Sequence, residues 1–266
     1  MEIITNFFAD DIIHLETHDG FTSGGQLPKT WNADHTLLYK GEELLGSTFC
    51  VYSEVICSNL AELLGIPHVS YWLEKHKYTV GASSTLYEAP LVVCESFADS
   101  NHVAVSLYDV MMKNDCTQSR AVEFICNKNI EFHCMLLLFD FIIANPDRHL
   151  RNLGFMKHNN TLSILPLYDH DKALYSTRVN HSGEPFSRVD IYERERLYSS
   201  FMLNLITIAK QLMPKTKLKT LCPWEKLLSC DVIVNKYSDL LEERRQSIIS
   251  MIKLRTQFML EELQNG

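Results

Sequence analysis

Asp147, Asn152 and Asp169 are the residues whose types and spacing carry chemistry in this chain. Metal-assisted phosphoryl transfer needs a carboxylate that accepts a hydroxyl proton. It also needs an amide and a second carboxylate that hold Mg²⁺ on the phosphates of ATP. Asn152 and Asp169 suit the metal role, because a small hard cation takes one or two protein oxygens and completes its shell with phosphate and water. Asp147 suits the general-base or hydroxyl-orienting role; in a loose transition state, positioning carries most of the effect. His149 divides evenly between orienting the loop backbone and stabilising the transferring phosphoryl group, and Arg148 between a phosphate and a neighbouring acid.

The elements that position these residues are readable around them. An apolar run over 135–144, interrupted only by Asp140, predicts a buried helix that ends at Asn145-Pro146, since proline biases the residue before it away from helix. A β-like stretch over 162–167 then delivers Tyr168-Asp169. Asp140 reads as a buried structural acid bonded to backbone, and Asp171 as a support for its loop rather than a metal ligand. Upstream, Gly24-Gly25 precede Lys29 and a short strand over 36–40 that ends in Lys40. A Gly-rich turn ahead of a Lys-bearing strand folds backbone N–H groups over phosphates and brings an ammonium to their oxygens. A Gly-Gly pair alone is more often a plain turn.

The pattern Val51, Val55, Leu60, Leu63, Leu64 with a stop at Gly65 predicts an amphipathic helix over 48–65. Glu54 sits in its first half, as a solvated carboxylate or as a partner for Lys40. Strands are expected over 68–73, 78–80 and 89–93, and a strand or an arm within 1–20. From 121 onward the chain reads as mainly helical: 121–125, the run ending at 145, 194–213, a turn or short helix over 224–230, and a terminal helix or helix pair over 231–263. The charges at 240–245 read as a solvated face. The polar, turn-rich stretch 176–191 is a substrate-binding segment or a mobile surface loop.

At 266 residues the chain is long enough for a full core in one bilobal unit. A net charge of −8 argues against a surface that grips nucleic acid as a whole. The cysteines at 50, 57, 94, 116, 126, 134, 222 and 230 form no CxxC pair, which predicts reduced thiols in a reducing cytosol. No ligand spacing around His158, His170 or His181 supports zinc. With no signal-peptide pattern and no apolar run of transmembrane length, a cytoplasmic protein without a membrane partner is expected.

The five-residue step from Asp147 to Asn152 matches the protein-kinase catalytic loop. The whole set resembles the HipA-like serine/threonine kinases, bacterial toxin-type kinases with a divergent protein-kinase fold. The resemblance rests on Asn145-x-Asp147-x-His149-x-x-Asn152 and Leu165-Pro166-Leu167-Tyr168-Asp169. Ser23-Gly24-Gly25-Gln26-Leu27-Pro28-Lys29, like the family's phosphate loop, and the Glu54 helix support it, so that residues 20–70 and 130–175 are covered. It implies an α+β, bilobal protein-kinase-like fold: a small β-rich N-lobe with one Glu-bearing helix (1–98) and a larger helical C-lobe (99–266). It implies ATP and Mg²⁺ as cofactors, with Gly24, Gly25, Lys29 and Lys40 on the phosphates, Glu54 paired to Lys40, and Glu95 and Phe97 lining the adenine hinge. Catalysis falls to Asp147, His149 and Asn152, and the metal to Asn152 and Asp169.

The resemblance also implies a protein hydroxyl as acceptor, with translation factors among the substrates; no direct contact with nucleic acid is expected, given the acidic net charge. Autophosphorylation at Thr22 or Ser23 would expel the phosphate loop and switch the enzyme off. The chain has no room for the antitoxin-binding subdomain of longer members, so a separately encoded antitoxin or small partner protein is expected instead. Tyr168-Asp169-His170 in place of Asp-Phe-Gly removes the Phe-based switch of ordinary kinases. A phosphoinositide-type lipid kinase shares Asp-Arg-His-x-x-Asn and a later metal-binding Asp, but the short chain and the lack of a basic membrane-binding helix weigh against it. The rival of another class is a weakly catalytic nucleotide-binding interaction module; the filled positions Lys40, Asp147, Asn152 and Asp169 argue against that one.

Overall fold

The computed structural model describes residues 12–16, 27–42, 49–97, 102–159, 161–176, 195–197, 201–203 and 205–264. Strands β1 (Ile13–Leu15), β2 (Lys29–Trp31), β3 (Leu37–Lys40), β4 (Tyr71–Val80) and β5 (Tyr87–Glu95) form one sheet in the order β1-β4-β5-β3-β2. The pairings are antiparallel except for β1, which runs parallel to β4. Two strands were expected where β4 is one. The polar run from Glu74 to Lys77 does not break it, because β5 supplies partners without interruption from Cys94, opposite Tyr71, to Tyr87, opposite Tyr78. The polar side chains satisfy one another: Trp72 Nε1 donates to Glu74 at 2.7 Å, and His76 Nε2 lies 2.8 Å from the same carboxylate.

Helix α1 (Phe49–Leu64) packs against β4 and β5. Its first free N–H groups, on Cys50 and Val51, donate to Glu42 Oε1 at 2.6 and 3.0 Å, where a carboxylate complements the positive end of the helix. Gly65 closes it at φ +70°. Its N–H donates to Glu62 O and that of Ile66 to Ala61 O, each at 3.0 Å, the paired bonds of a Schellman ending that favours glycine.

A second, antiparallel sheet joins β6 (His102–Ser106), β7 (Gly154–His158) and β8 (Thr161–Ile164) in that order. Helix α2 (Leu107–Lys113) packs on β6 and β7, α3 (Gln118–Lys128) on α2, and α4 (Ile130–Ile142) on α3. Helix α4 is buried nearly all round, from Leu136 through Phe139 to Ile142, as a helix without a polar face must be. It is flanked by α5 (Leu205–Leu212) and α8 (Glu242–Gln264); α6 (Lys215–Thr220) and the short α7 (Asp231–Val234) lie between those two in sequence.

Two expectations are corrected here. Residues 194–213 are not one helix: β9 (Glu195–Leu197) and β10 (Phe201–Leu203) pair antiparallel before α5 begins. Tyr198-Ser199-Ser200 separates them in sequence, and serine side chains compete with the backbone for hydrogen bonds, which lowers helix preference. The terminal stretch takes the helix-pair form of the two expected, the short α7 followed by α8. Arg244, assigned to a solvated face, is buried, donates to Leu174 O and lies over the Phe49 ring at 5.0 Å. All eight cysteines are free thiols, and among the described residues no helix is long and apolar enough to cross a membrane.

Candidate active site

Lys40 is the last residue of β3, and its side chain runs beneath α1. Its Nζ stands 2.6 Å from Glu54 Oε1, 3.4 Å from Asp169 Oδ1 and 3.4 Å from the Tyr71 hydroxyl. The Tyr71 ring lies under the same ammonium at 5.1 Å. Glu54 is therefore an ion-pair partner and not a solvated carboxylate; it is fully buried. Burial works against the Lys40 charge, but Glu54, then Tyr71 and Asp169, outweigh it and hold the amine well above the ordinary lysine pKa. Burial likewise opposes the Asp169 charge, and Lys40, Lys29 and His149 overcome it, keeping that carboxyl below its usual value. Asp169 is thus a carboxylate.

Lys29 is registered directly opposite Lys40 on β2 and is nearly as buried. Burial first, then the Lys40 charge, lower its pKa; Asp169 and Asp171 partly restore it. The two ammonium groups and the acids of the 169–171 turn thus share one electrostatic site.

The loop that carries Asp147 leaves α4 through a second Schellman ending. The Ala144 N–H donates to Phe141 O at 3.2 Å and that of Asn145 to Asp140 O at 2.9 Å. Ala144 adopts φ +51° to make this turn, at a cost of about 1–2 kcal/mol for a residue with a Cβ. Asp140 is bonded to side chains, which corrects the expectation of backbone partners. Its oxygens accept from Arg148 Nε and Nη2 at 2.8 and 2.9 Å and from Asn145 Nδ2 at 3.0 Å.

The acid, and not a phosphate, is therefore the Arg148 partner. Its remaining nitrogen Nη1 donates to Tyr168 O at 2.9 Å and Asn152 O at 3.4 Å. One fully buried guanidinium ties the end of α4, the 147–152 loop and the residue before Asp169. Asn145 Oδ1 accepts the Asp147 N–H at 3.1 Å, which fixes the backbone of the half-buried Asp147. Asn152 ends a 3₁₀ turn over Leu150–Asn152 and is buried. His149 caps that turn without a side-chain bond, and its buried Nδ1 has no hydrogen-bond partner.

Of the remaining expected residues, Phe97 lies against Tyr168, ring centroids 5.5 Å apart. Glu95 ends β5 with its side chain exposed and its backbone opposite Leu37. Gly24, Gly25, Thr22 and Ser23 lie outside the described residues, as do 177–191 and the 98/99 lobe boundary. Tyr71, Ser53 and Glu42 were not foreseen; Ser53 Oγ donates to His170 O at 2.7 Å and to Ala173 O at 2.8 Å. Nothing local marks them, because each acts on a segment distant in sequence. For Asp171, burial first, then the Asp169 and Glu54 charges, push the carboxyl up to about 7.

Among the described residues no three His, Cys, Asp or Glu side chains converge as a ready-made cation cage. Asn152 and Asp169 offer one amide and one carboxylate, hard oxygen donors that fit a Mg²⁺ ion drawing the rest of its shell from phosphates and water.

No protein-family model and no curated protein matches the chain. Solved structures do. The Helicobacter pylori proinflammatory kinase CtkA superposes with a TM-score of 0.58 at 15% identity, covering 95% of this chain and 96% of that one. HipA of Shewanella oneidensis MR-1, in its toxin–antitoxin complex with HipB and operator DNA, gives 0.50 at 15% identity over 92% of this chain and 66% of that one. The class is a kinase-like α+β fold. It is the fold shared by HipA and CtkA, so the resemblance read from the motifs holds at the level of fold.

Proposed function

We propose that this protein is an ATP- and Mg²⁺-dependent kinase of HipA-like type that transfers the γ-phosphoryl group to a serine or threonine hydroxyl of a protein. The observation that carries the reading is the buried bridge from Lys40 Nζ to Glu54 at 2.6 Å and to Asp169 at 3.4 Å. In this reading Lys40 and Lys29 receive phosphate oxygens, with Gly24 and Gly25 over them, and Glu54 holds Lys40 in place. Asn152 and Asp169 hold the cation, which when bound offsets the phosphate charge. Asp147 orients the acceptor hydroxyl and takes its proton, and His149 orients the loop backbone or stabilises the transferring phosphoryl group. Phe97 lines the adenine side, with the Glu95 backbone at the hinge between lobes 1–98 and 99–266. The complex of the HipA neighbour with HipB supports a separately encoded partner protein here.

Incubating the full chain with γ-labelled ATP and Mg²⁺, beside Asp147→Ala and Asp169→Ala, tests the reading. Label on wild-type protein or on added lysate proteins, absent with both variants, is the expected result, and mass spectrometry then asks whether Thr22 or Ser23 carries it. Label on phosphoinositide vesicles alone would reassign the protein to the lipid kinases. ATP binding without transfer would make it a binding module.

A further inference from the structure

Among the described residues, buried acids are supplied with hydrogen-bond donors, and Asp171 differs. Glu42 accepts two helix N–H groups, Glu54 takes Lys40 and the His170 N–H, and Asp140 takes Arg148 and Asn145. Asp171 is as buried as these, at 4% exposure, yet its Oδ2 has no hydrogen-bond donor. The Lys172 ammonium stands 3.5 Å away as an ion pair only. A desolvated carboxylate oxygen without a donor is costly, and in a native fold such a group has a reason, an absent ion among them.

Its surroundings give the reason. Asp171 follows Asp169 by two residues in one buried turn, and the charges of Asp169, Glu54, Lys172 and Lys40 act on it. Its turn is not slack. Ser53 Oγ holds His170 O and Ala173 O, Ser176 Oγ donates to Asp171 O, and the Leu174 N–H donates to Ile143 O at 2.8 Å. Asp169 itself sits at φ +62°, a left-handed backbone that non-glycine residues keep where the surroundings impose it, often at functional sites.

The geometry points to Asp171 as a further oxygen ligand, beside Asp169, for a hard divalent cation that also binds nucleotide phosphate oxygens. This rests on the kinase reading and adds to it: two carboxylates two residues apart hold the cation, with Asn152 as the amide donor. With only these protein oxygens, the cation must complete its shell from phosphate and water, which is how Mg²⁺ and Mn²⁺ bind nucleotides. Lys172 occupies the carboxylate in competition with the ion.

The test titrates Mn²⁺ into the full chain with a non-hydrolysable ATP analogue, counting free Mn²⁺ by electron paramagnetic resonance, for wild type, Asp169→Asn, Asp171→Asn and Lys172→Met. Wild type should retain Mn²⁺, and Asp169→Asn should lose it. Asp171→Asn should weaken Mn²⁺ binding about tenfold or more, the scale of losing a group that supports a metal site, without weakening metal-free nucleotide binding in EDTA, since it removes a negative charge that acts on Lys29. Lys172→Met should tighten Mn²⁺ binding; it keeps Asp171 and so tests the idea even if Asp171→Asn fails to fold. Unchanged Mn²⁺ affinity in Asp171→Asn or in Lys172→Met, beside a normal wild type, overturns the assignment of Asp171 alone. No Mn²⁺ retained by the wild type with nucleotide overturns the kinase reading as well.

Discussion

Glu54 and His170 are joined across 116 residues of chain by one hydrogen bond, the His170 N–H donating to Glu54 Oε2 at 2.8 Å. The other oxygen of the same carboxylate takes Lys40 at 2.6 Å. Ser53, the residue before, holds His170 through its carbonyl. Helix α1 thus grips both backbone poles of the residue after Asp169, and the position of Lys40 is tied to that of Asp169 through a single side chain. Displacing α1 would break both at once.

Glu54→Gln tests that tie. The amide keeps the shape but removes the charge facing Lys40, and a hydrogen bond to a charged group is worth roughly 1.5–3 kcal/mol. ATP-dependent phosphotransfer should fall by about 10- to 100-fold, measured as single-turnover transfer from labelled ATP. A variant as active as the wild type would show that the Lys40 position does not depend on Glu54.

Asp140 and Arg148 form the second buried pair, with side chains 0% and 1% exposed. Asp140→Ala leaves a guanidinium buried without its counter-charge, so stability should drop by about 3–5 kcal/mol, read from the urea midpoint. The double variant Asp140→Leu, Arg148→Met should recover most of that loss, since an apolar replacement of a buried pair is often neutral or stabilising. It should stay poorly active, because nothing then ties Tyr168 O to the 147–152 loop. Recovered activity in the double variant would show that the pair serves stability alone.

What could be read beforehand follows from how local each signal is. Helix α1 and its glycine stop were legible because side-chain period and the left-handed ending lie within one element. The spacing of Asp147, Asn152 and Asp169 is likewise a local signal within one loop and one turn, whereas the approach of Asp169 to Lys40 at 3.4 Å joins segments 129 residues apart. The unbroken β4 was not legible, since the partner that carries its polar middle is β5, and strand preference is largely a matter of such neighbours. Nor was the burial of Arg244, which is decided by the Leu174 carbonyl 70 residues away. Glu42 as the cap of α1 escaped for the same reason; it stands seven residues before Phe49 instead of beside the first turn.

Gly154 opens β7 two residues after Asn152, and β6 presses directly on it. A Cβ there would meet Val105 O at 2.2 Å and Ser106 Cα at 2.9 Å, both backbone atoms. Gly154→Ala must therefore part the two strands, at a cost of about 1–3 kcal/mol. It also strains the Leu107 N–H bond to Leu153 O at 2.7 Å, next to Asn152. Gly41 is the control: its Cβ would meet side-chain atoms alone, the ends of Leu15 and Leu91 at 2.6 Å, which can move, and the Tyr78 ring at 3.4 Å. Thermal unfolding should show Gly154→Ala as the more damaging of the two, and the reverse order would contradict the close approach of β6.

His133 on α4 gives the acid limb of stability a defined contributor. Burial lowers its pKa to about 4, whereas in the unfolded chain it titrates near 6.5. Between those values the unfolded state binds the extra proton, so stability falls as pH drops from about 6.5 to 4 and is unaffected by this group above 6.5. At 1.36 kcal/mol per pH unit the full loss is about 3 kcal/mol. His133→Gln removes the titration and keeps a polar side chain. Urea midpoints at pH 7 and pH 4.5 should diverge more for the wild type than for the variant. Equal acid sensitivity in the two would mean that His133 takes up its proton in the folded state without penalty, and that the acid limb belongs to other buried groups such as His170.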